Sequence, residues 1–202
     1  MKYLLPLISL GICLAACQSN PTAPAAADVA PPAAIPPPAP ATPANSEHLE
    51  WSELTINGKP NTQLTTQLLK KQLGRPDSIA KGVAECGSGL DIPLDSPNGD
   101  FWYYGKTMYE VNGTQAILAN FNVTSGKFQG KLRQLILNQN ITLEDVRRFF
   151  PQSAKGADVP VTGRSGEVIS LPFFYKGTAV DASLNLLFKQ GHLQEVEFWY
   201  PC

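Results

Sequence analysis

The chain has 202 residues, 43% of them hydrophobic, with 16 Lys+Arg against 17 Asp+Glu and a formal charge of −1. This balance, with no basic run anywhere, excludes a nucleic-acid binder of the electrostatic kind, which needs clustered Lys and Arg to follow a phosphate backbone. Ten of the 18 prolines lie before residue 46, and the roughly 155 residues after it have the mixed composition of one ordinary domain or two small fused modules.

Residues 1–16 carry one basic residue, Lys2, then a short apolar run ending in Ala15-Ala16, which is the pattern of a secretory signal peptide. A spanning helix needs about 20 predominantly apolar residues, and this run ends at Cys17, followed at once by Gln18-Ser19-Asn20. The segment Leu14-Ala15-Ala16-Cys17 resembles the lipobox of bacterial lipoproteins. That resemblance implies cleavage before Cys17, lipidation of its thiol and, because Gln18 rather than Asp follows, sorting to the outer membrane, at its periplasmic face. The alternative is an ordinary secretory peptide cut nearby. Loss of Lys2 leaves 15 basic against 17 acidic side chains. With no polybasic patch, contact with the membrane rests on the acyl chains.

Of four cysteines, Cys13 leaves with the signal and Cys17 takes lipid, so Cys86 and Cys202 remain. An even pair in an oxidising compartment is expected to form one disulfide. It would close a loop of about 116 residues, for which the chain-entropy model gives nearly 5 kcal/mol. The alternative is two unpaired thiols.

Residues 17–46 form the lipidated cysteine and a linker. Within it, residues 21–45 are almost entirely Pro and Ala, a composition that favours polyproline II and cannot bury a core. Fully extended, this tether reaches about 75 Å at about 3.1 Å per residue. We take it as a passive spacer; the alternative is a Pro-rich ligand around Ile35-Pro-Pro-Pro-Ala-Pro.

Beyond residue 46 the punctuation divides into a first module, 47–139, and a second, 140–202. Residues 62–73 carry Leu64, Leu68, Leu69 and Leu73 at helical spacing, with Asn61 or Thr62 as cap and Lys70, Lys71, Gly74 and Pro76 as the ending. Strands are expected at Phe101-Trp102-Tyr103-Tyr104, at 115–123 with Ile117, Ala119, Phe121 and Val123 alternating, and at 132–137 after a Ser125-Gly126 turn. A second helix opens with the capping box Thr142-Leu143-Glu144-Asp145, buries Leu143, Val146, Phe149 and Phe150, and stops at Pro151. Strands at 167–175, 180–188 and 193–200 follow, the last two joined at Gln190-Gly191. The order of helix then hairpins occurs twice. The fold class expected is therefore α+β, two tandem helix-plus-antiparallel-sheet modules sharing a continuous sheet.

Leu69-Lys70-Lys71-Gln72-Leu73-Gly74-Arg75-Pro76-Asp77, followed by Trp102-Tyr103-Tyr104, resembles the helix, turn and aromatic strand of the SmpA/OmlA (BamE-like) family of outer-membrane lipoproteins. Residues 142–151 with the last hairpin are similar in layout to the tandem β-lactamase-inhibitor-protein-like fold. Both resemblances imply protein binding without catalysis. The second module, the long tether and the Gly-rich stretch 82–99 depart from the single-module lipoprotein and put an assembly-machine role in doubt.

No catalytic constellation is evident. His48 and His192 lie at the domain entry and in a turn, neither suited to an oriented base, and Gly163-Arg164-Ser165-Gly166 lacks nucleophile-elbow spacing. No metal site or cofactor is expected: Asp91, Asp95, Asn98 and Asp100 offer oxygens, but not at the spacing of an EF-hand loop. Since neighbours in a strand face opposite ways, the clusters Phe101–Tyr104, Phe173-Phe174-Tyr175 and Phe198-Trp199-Tyr200 must each send a ring away from the covered side. Trp102, Tyr104, Tyr175 and Trp199 are the candidate protein-binding residues. The expectation is a lipid-anchored, non-catalytic envelope lipoprotein that binds another envelope protein; alternatives are an inhibitor of a hydrolase and an enzyme with an unrecognised carboxylate site.

Overall fold

The computed structural model describes residues 47–84, 89–90, 96–157 and 166–201. Cys17 and the tether, Cys86 and Cys202, Asp91 and Asp95, and residues 163–165 lie outside the described residues, as does part of the 82–99 stretch.

Alternation, interrupted by register shifts at Pro172/Phe174 and Leu187/Phe188, makes the longest strands. In β11 (Glu167–Tyr175) Ile169, Leu171 and Phe173 are buried, and in β12 (Thr178–Lys189) Ala182, Leu184, Leu186 and Phe188 are. β13 (His192–Trp199) buries Leu193, Val196 and Phe198. Register places Leu171 opposite Leu184 and Leu184 opposite Phe198, so one face becomes a continuous apolar wall. Two-residue loops with both residues at positive φ, Lys176-Gly177 and Gln190-Gly191, join these strands; such turns match the twist of the hairpins they close.

β13 pairs with β8 (Gln115–Asn122), which continues through β7 (Thr107–Asn112) and β6 (Gly99–Tyr104) to β5 (Ser78–Ala84) at the edge. At the opposite edge, β1 (Leu49–Glu50) runs parallel to β11, with Leu49 opposite Phe173. The short β4 (Leu64–Thr65) also pairs β8, giving nine strands in this sheet among the described residues. Between β7 and β8 the register slips: Met108 faces Asn120 but Tyr109 faces Leu118, so Ala119 is an extra, bulged residue. The slip reverses the expected alternation, because Ile117 now lies opposite Glu110, away from the face that Leu118 shares with Tyr109.

The apolar wall is covered chiefly by a second sheet, in the order β10 (Leu135–Leu137), β9 (Gly130–Leu132), β2 (Leu54–Ile56), β3 (Lys59–Pro60). Leu54, Ile56, Leu132, Leu135 and Leu137 join one core with Phe121, Leu171 and Phe198. Gly130 marks the closest approach: a Cβ there would lie 3.0 Å from Phe121 Cζ and 3.3 Å from Leu137. Trp51, half-buried, packs against this core with its ring centroid 3.9 Å from that of Phe173 and almost parallel to it.

The helices are small. α1 (Thr66–Leu73) starts at Thr65, whose hydroxyl accepts from Leu68 N at 3.1 Å, and ends at Gly74 with φ +85°. It buries only Leu69. α2 (Leu143–Phe149) is opened by the expected box: Asp145 N donates to Thr142 Oγ1 at 3.1 Å and Thr142 N to Asp145 Oδ2 at 3.0 Å. Leu143, Val146 and the following Phe150 are buried, while Phe149 is 48% exposed.

The expected class of two helix-plus-antiparallel-sheet modules is thus corrected. Strand dominates, and helices of 8 and 7 residues are too short to cover a nine-stranded sheet, so a second sheet does. The two segments are also not equivalent units. The 132–137 region, expected as a strand of the first module's sheet, breaks at Arg133 (φ +55°) into β9 and β10 of the covering sheet. β1, from the first segment, completes the edge beside β11 of the second. That edge pair is parallel, where antiparallel pairing alone was expected.

Candidate binding surfaces

Register decides which of the four expected aromatic residues reach solvent. Trp102 lies opposite Tyr109 on the core side and is 7% exposed, with Lys70 Nζ 4.8 Å from the ring centroid. It is buried, in a core-side row that runs Trp102, Tyr109, Leu118 across β6, β7 and β8. Tyr104 is half-buried; its hydroxyl donates to Gly74 O at 3.3 Å and its ring meets Tyr109 edge-on at 5.8 Å. Burial first, and the charge of Asp77 second, raise its hydroxyl pKa. Tyr175 and Trp199 are exposed. They belong to separate rows, Tyr175 opposite Thr178 and Trp199 opposite Ser183, about 17 Å apart along β12 at strand rise, so the four do not form one patch.

The outer side of the large sheet carries a polar row instead. Ser170, Asn185, Glu197, Asn120 and Met108 stand directly opposite one another across five strands. Asn185 holds it together: its Oδ1 accepts from Ser170 Oγ at 2.7 Å and Ser183 Oγ at 3.1 Å, and its Nδ2 donates to Glu197 Oε2 at 2.9 Å. Asn120 Nδ2 donates to Glu195 Oε1 at 2.9 Å. Buried polar groups require such partners, and Asn185 at 7% exposure has them.

Pairing of β13 with β8 stops at Glu197–Asn120, beside the Ala119 bulge. A small pocket of about 160 Å³ occupies this corner, with Phe101, Glu110, Ile117, Glu197, Trp199 and Tyr200 among its walls. Glu110 is only 6% exposed. Tyr200 stacks beneath on Trp51 at 5.9 Å, and burial foremost, then the charge of Glu110, pushes its hydroxyl pKa upward.

A second concavity, a groove of about 730 Å³, lies between α1, the β2–β3 hairpin and β8. Its floor is apolar, with Ile56, Leu118, Phe128 and the ring of Tyr109, and one wall is made by Leu64, Leu68 and Leu73. The helical leucines that were expected to be buried are therefore split: Leu69 packs inward, whereas Leu68 and Leu73 are 43% and 38% exposed along the groove. Burial pushes the Tyr109 hydroxyl up to about 12.

The histidines stand apart from both concavities. His48 stacks on Phe174 at 3.8 Å and His192 begins β13 opposite Lys189. Among the described residues no three of His, Cys, Asp and Glu gather as metal ligands, and no helix is long and apolar enough to cross a membrane. Asp100, one of the oxygen donors considered, accepts from Gly82 N at 3.0 Å.

Sequence reasoning passed over Glu110 and Glu197, although a signal existed for each. Glu195-Val196-Glu197 in an alternating strand puts both carboxylates on the side opposite a core valine. Tyr109-Glu110-Val111 is a single acid between two buried apolar residues. Their meeting in one pocket depended on the bulge, which leaves no mark in local pattern. No protein-family model, curated protein or solved structure matches this chain.

Proposed function

We propose that this chain is a lipid-anchored, non-catalytic protein of the bacterial outer membrane that binds another envelope protein through the groove beside α1. The observation that carries this reading is the exposure of Leu68 and Leu73 on the wall of a concavity whose floor is also apolar. A small domain gains about 25 cal/mol per Å² by removing such surface from water, and a helix that leaves two leucines out is spending them on something other than its own core. Polar, mostly uncharged rim residues, among them Asn57, Asn61, Thr62 and Gln63, surround the apolar floor, which is the anatomy of a protein contact. The lipobox-like Leu14-Ala15-Ala16-Cys17 supplies the anchor in this reading, and the Pro/Ala tether supplies the reach.

The test is photo-crosslinking in cells from positions 68 and 73 of the full chain, with exposed position 181 on β12 as control, repeated in a Cys17→Ser background. One partner captured at 68 and 73 but not at 181, and reduced when the lipid attachment is removed, is the expected result. Equal capture at all three positions, or none at 68 and 73, removes the groove as the binding site.

A further inference from the structure

We propose that the groove beside α1 takes an amphipathic α-helix of the partner protein, one whose apolar stripe is flanked by acidic side chains. The inference rests on the reading above that this groove is the contact site, and it adds the shape and charge of what enters.

Shape follows from the two banks. The floor residues Tyr109, Leu118 and Phe128 are buried, while Leu68 and Leu73 on the wall are exposed, so the floor is reached by inserted side chains rather than by a main chain. Neither bank offers a row of free backbone groups for a strand to join. The hairpin bank ends in β3, two residues long, and its second residue is Pro60, whose nitrogen has no hydrogen to donate. The other bank is α1, a helix that spends its backbone hydrogen bonds along its own axis. An occupant must therefore satisfy its own backbone while presenting a row of apolar side chains, and an α-helix with such residues at i, i+3, i+4 and i+7 does both.

Charge follows from the residues around the groove. Lys59 is the single charged side chain among the described residues that line it. Lys71 is exposed on α1 three residues after Leu68, so the two are neighbours on the helix surface. Residues 59–81 hold Lys59, Lys70, Lys71, Arg75 and Lys81 against one acid, Asp77, whose Oδ2 already accepts from Gly105 N at 2.6 Å. The rest of the chain carries more acids than bases, so this basic excess is local. Carboxylates beside the apolar stripe of an incoming helix meet Lys59 on one bank and Lys71 on the other, which favours an acidic helix over a basic one and speeds its encounter. A second copy of this chain is disfavoured, because its α1 would bring Lys70 and Lys71 against the same lysines.

The experiment uses the mature chain with Cys17→Ser, so that no detergent competes for amphipathic peptides, and follows the ¹⁵N amide resonances of Leu68 and Leu73. Three synthetic peptides are titrated: a leucine-striped helix with glutamate flanks, the same stripe with lysine flanks, and the glutamate peptide with a central proline that breaks the helix. The glutamate peptide is expected to give saturable shifts at both leucines, and each of the other two at least tenfold weaker affinity. The double variant Lys59→Glu, Lys71→Glu, changed only at exposed positions, should reverse the order of the glutamate and lysine peptides. Equal affinity for the two charge types on the native groove, undiminished binding of the proline peptide, or no saturable shift at either leucine overturns the proposal. Capture from positions 68 and 73 in cells without binding of the glutamate peptide keeps the groove as the contact and removes its acidic helical occupant. Binding of the glutamate peptide without capture in cells keeps the groove's preference and removes the envelope partner.

Discussion

Glu53, at the end of the turn 51–53, and Arg133, between β9 and β10, form a two-pronged ion pair. Arg133 Nε donates to Glu53 Oε1 at 2.7 Å and Nη2 to Oε2 at 3.0 Å, while Nη2 also reaches His48 O at 2.8 Å. The hydrogen bond from Arg133 holds the Glu53 carboxyl below its ordinary value of 4.5, with burial acting in opposition. A carboxyl depressed in the folded state contributes stability above its unfolded pKa and loses it as pH falls through the folded one. The urea midpoint should therefore decline as pH is lowered from about 5 toward 3. Glu53→Gln should reduce the unfolding free energy at pH 7 by about 0.5–1 kcal/mol for a part-exposed pair, read as a lower urea midpoint, and make that decline shallower. Parallel pH profiles for the two proteins would show that the pair contributes nothing. The two residues are 80 positions apart, and nothing local to either announces the other.

Among the elements, α2 is the one whose boundaries could be read directly. Thr142 and Asp145 satisfy each other's backbone N–H within four consecutive residues, so the information is local and survives any tertiary context. Thr142→Ala should cost about 1 kcal/mol, measured as a lower melting temperature with unchanged fold; no change would mean that Asp145 or water caps the helix alone. α1 shows the opposite case. Its start was expected at Asn61 or Thr62, but Leu64 and Thr65 pair with Ala116 and Gln115 of β8, and the helix begins only after Thr65. A strand bond from a distant segment overrode the helical spacing of the leucines. That same override leaves Leu68 and Leu73 outside the core. β7 was missed altogether, because Thr107, Tyr109, Glu110 and Val111 are all buried and no period of two remains to be seen.

At the scale of the whole molecule, stability rests on the face-to-face packing of the nine-stranded sheet with its smaller cover. Gly130 is the gauge of that contact. Phe121 and Leu137 are both fully buried and have nowhere to retreat, so the methyl of Gly130→Ala, 3.0 Å from Phe121 Cζ, must push the sheets apart. Overpacking of this kind should destabilise by about 1–3 kcal/mol in chemical denaturation. A variant as stable as the parent would mean that the two sheets slide freely at this point. The corner pocket belongs to this scale too, since it needs a bulge on β8, the end of a ladder on β13 and a ring from beyond the last strand at once.

Sequence alone determined what depends on neighbours within a few residues: the strands β11, β12 and β13, the turn at Gln190-Gly191, the α2 capping box, and the abrupt change from Pro/Ala to mixed composition. Of the four rings it offered as contacts, Tyr175 and Trp199 are exposed and Trp102 is buried. Only the tertiary structure decided that strands 132–137 leave the main sheet to cover it, that Trp102 turns inward, and that Glu110 and Glu197 line one pocket. The reason is physical. Periodicity states which side chains share a face, whereas a single inserted residue such as Ala119, or a long-range pairing such as β4 on β8, resets which face that is, and the energy that selects it comes from partners far along the chain.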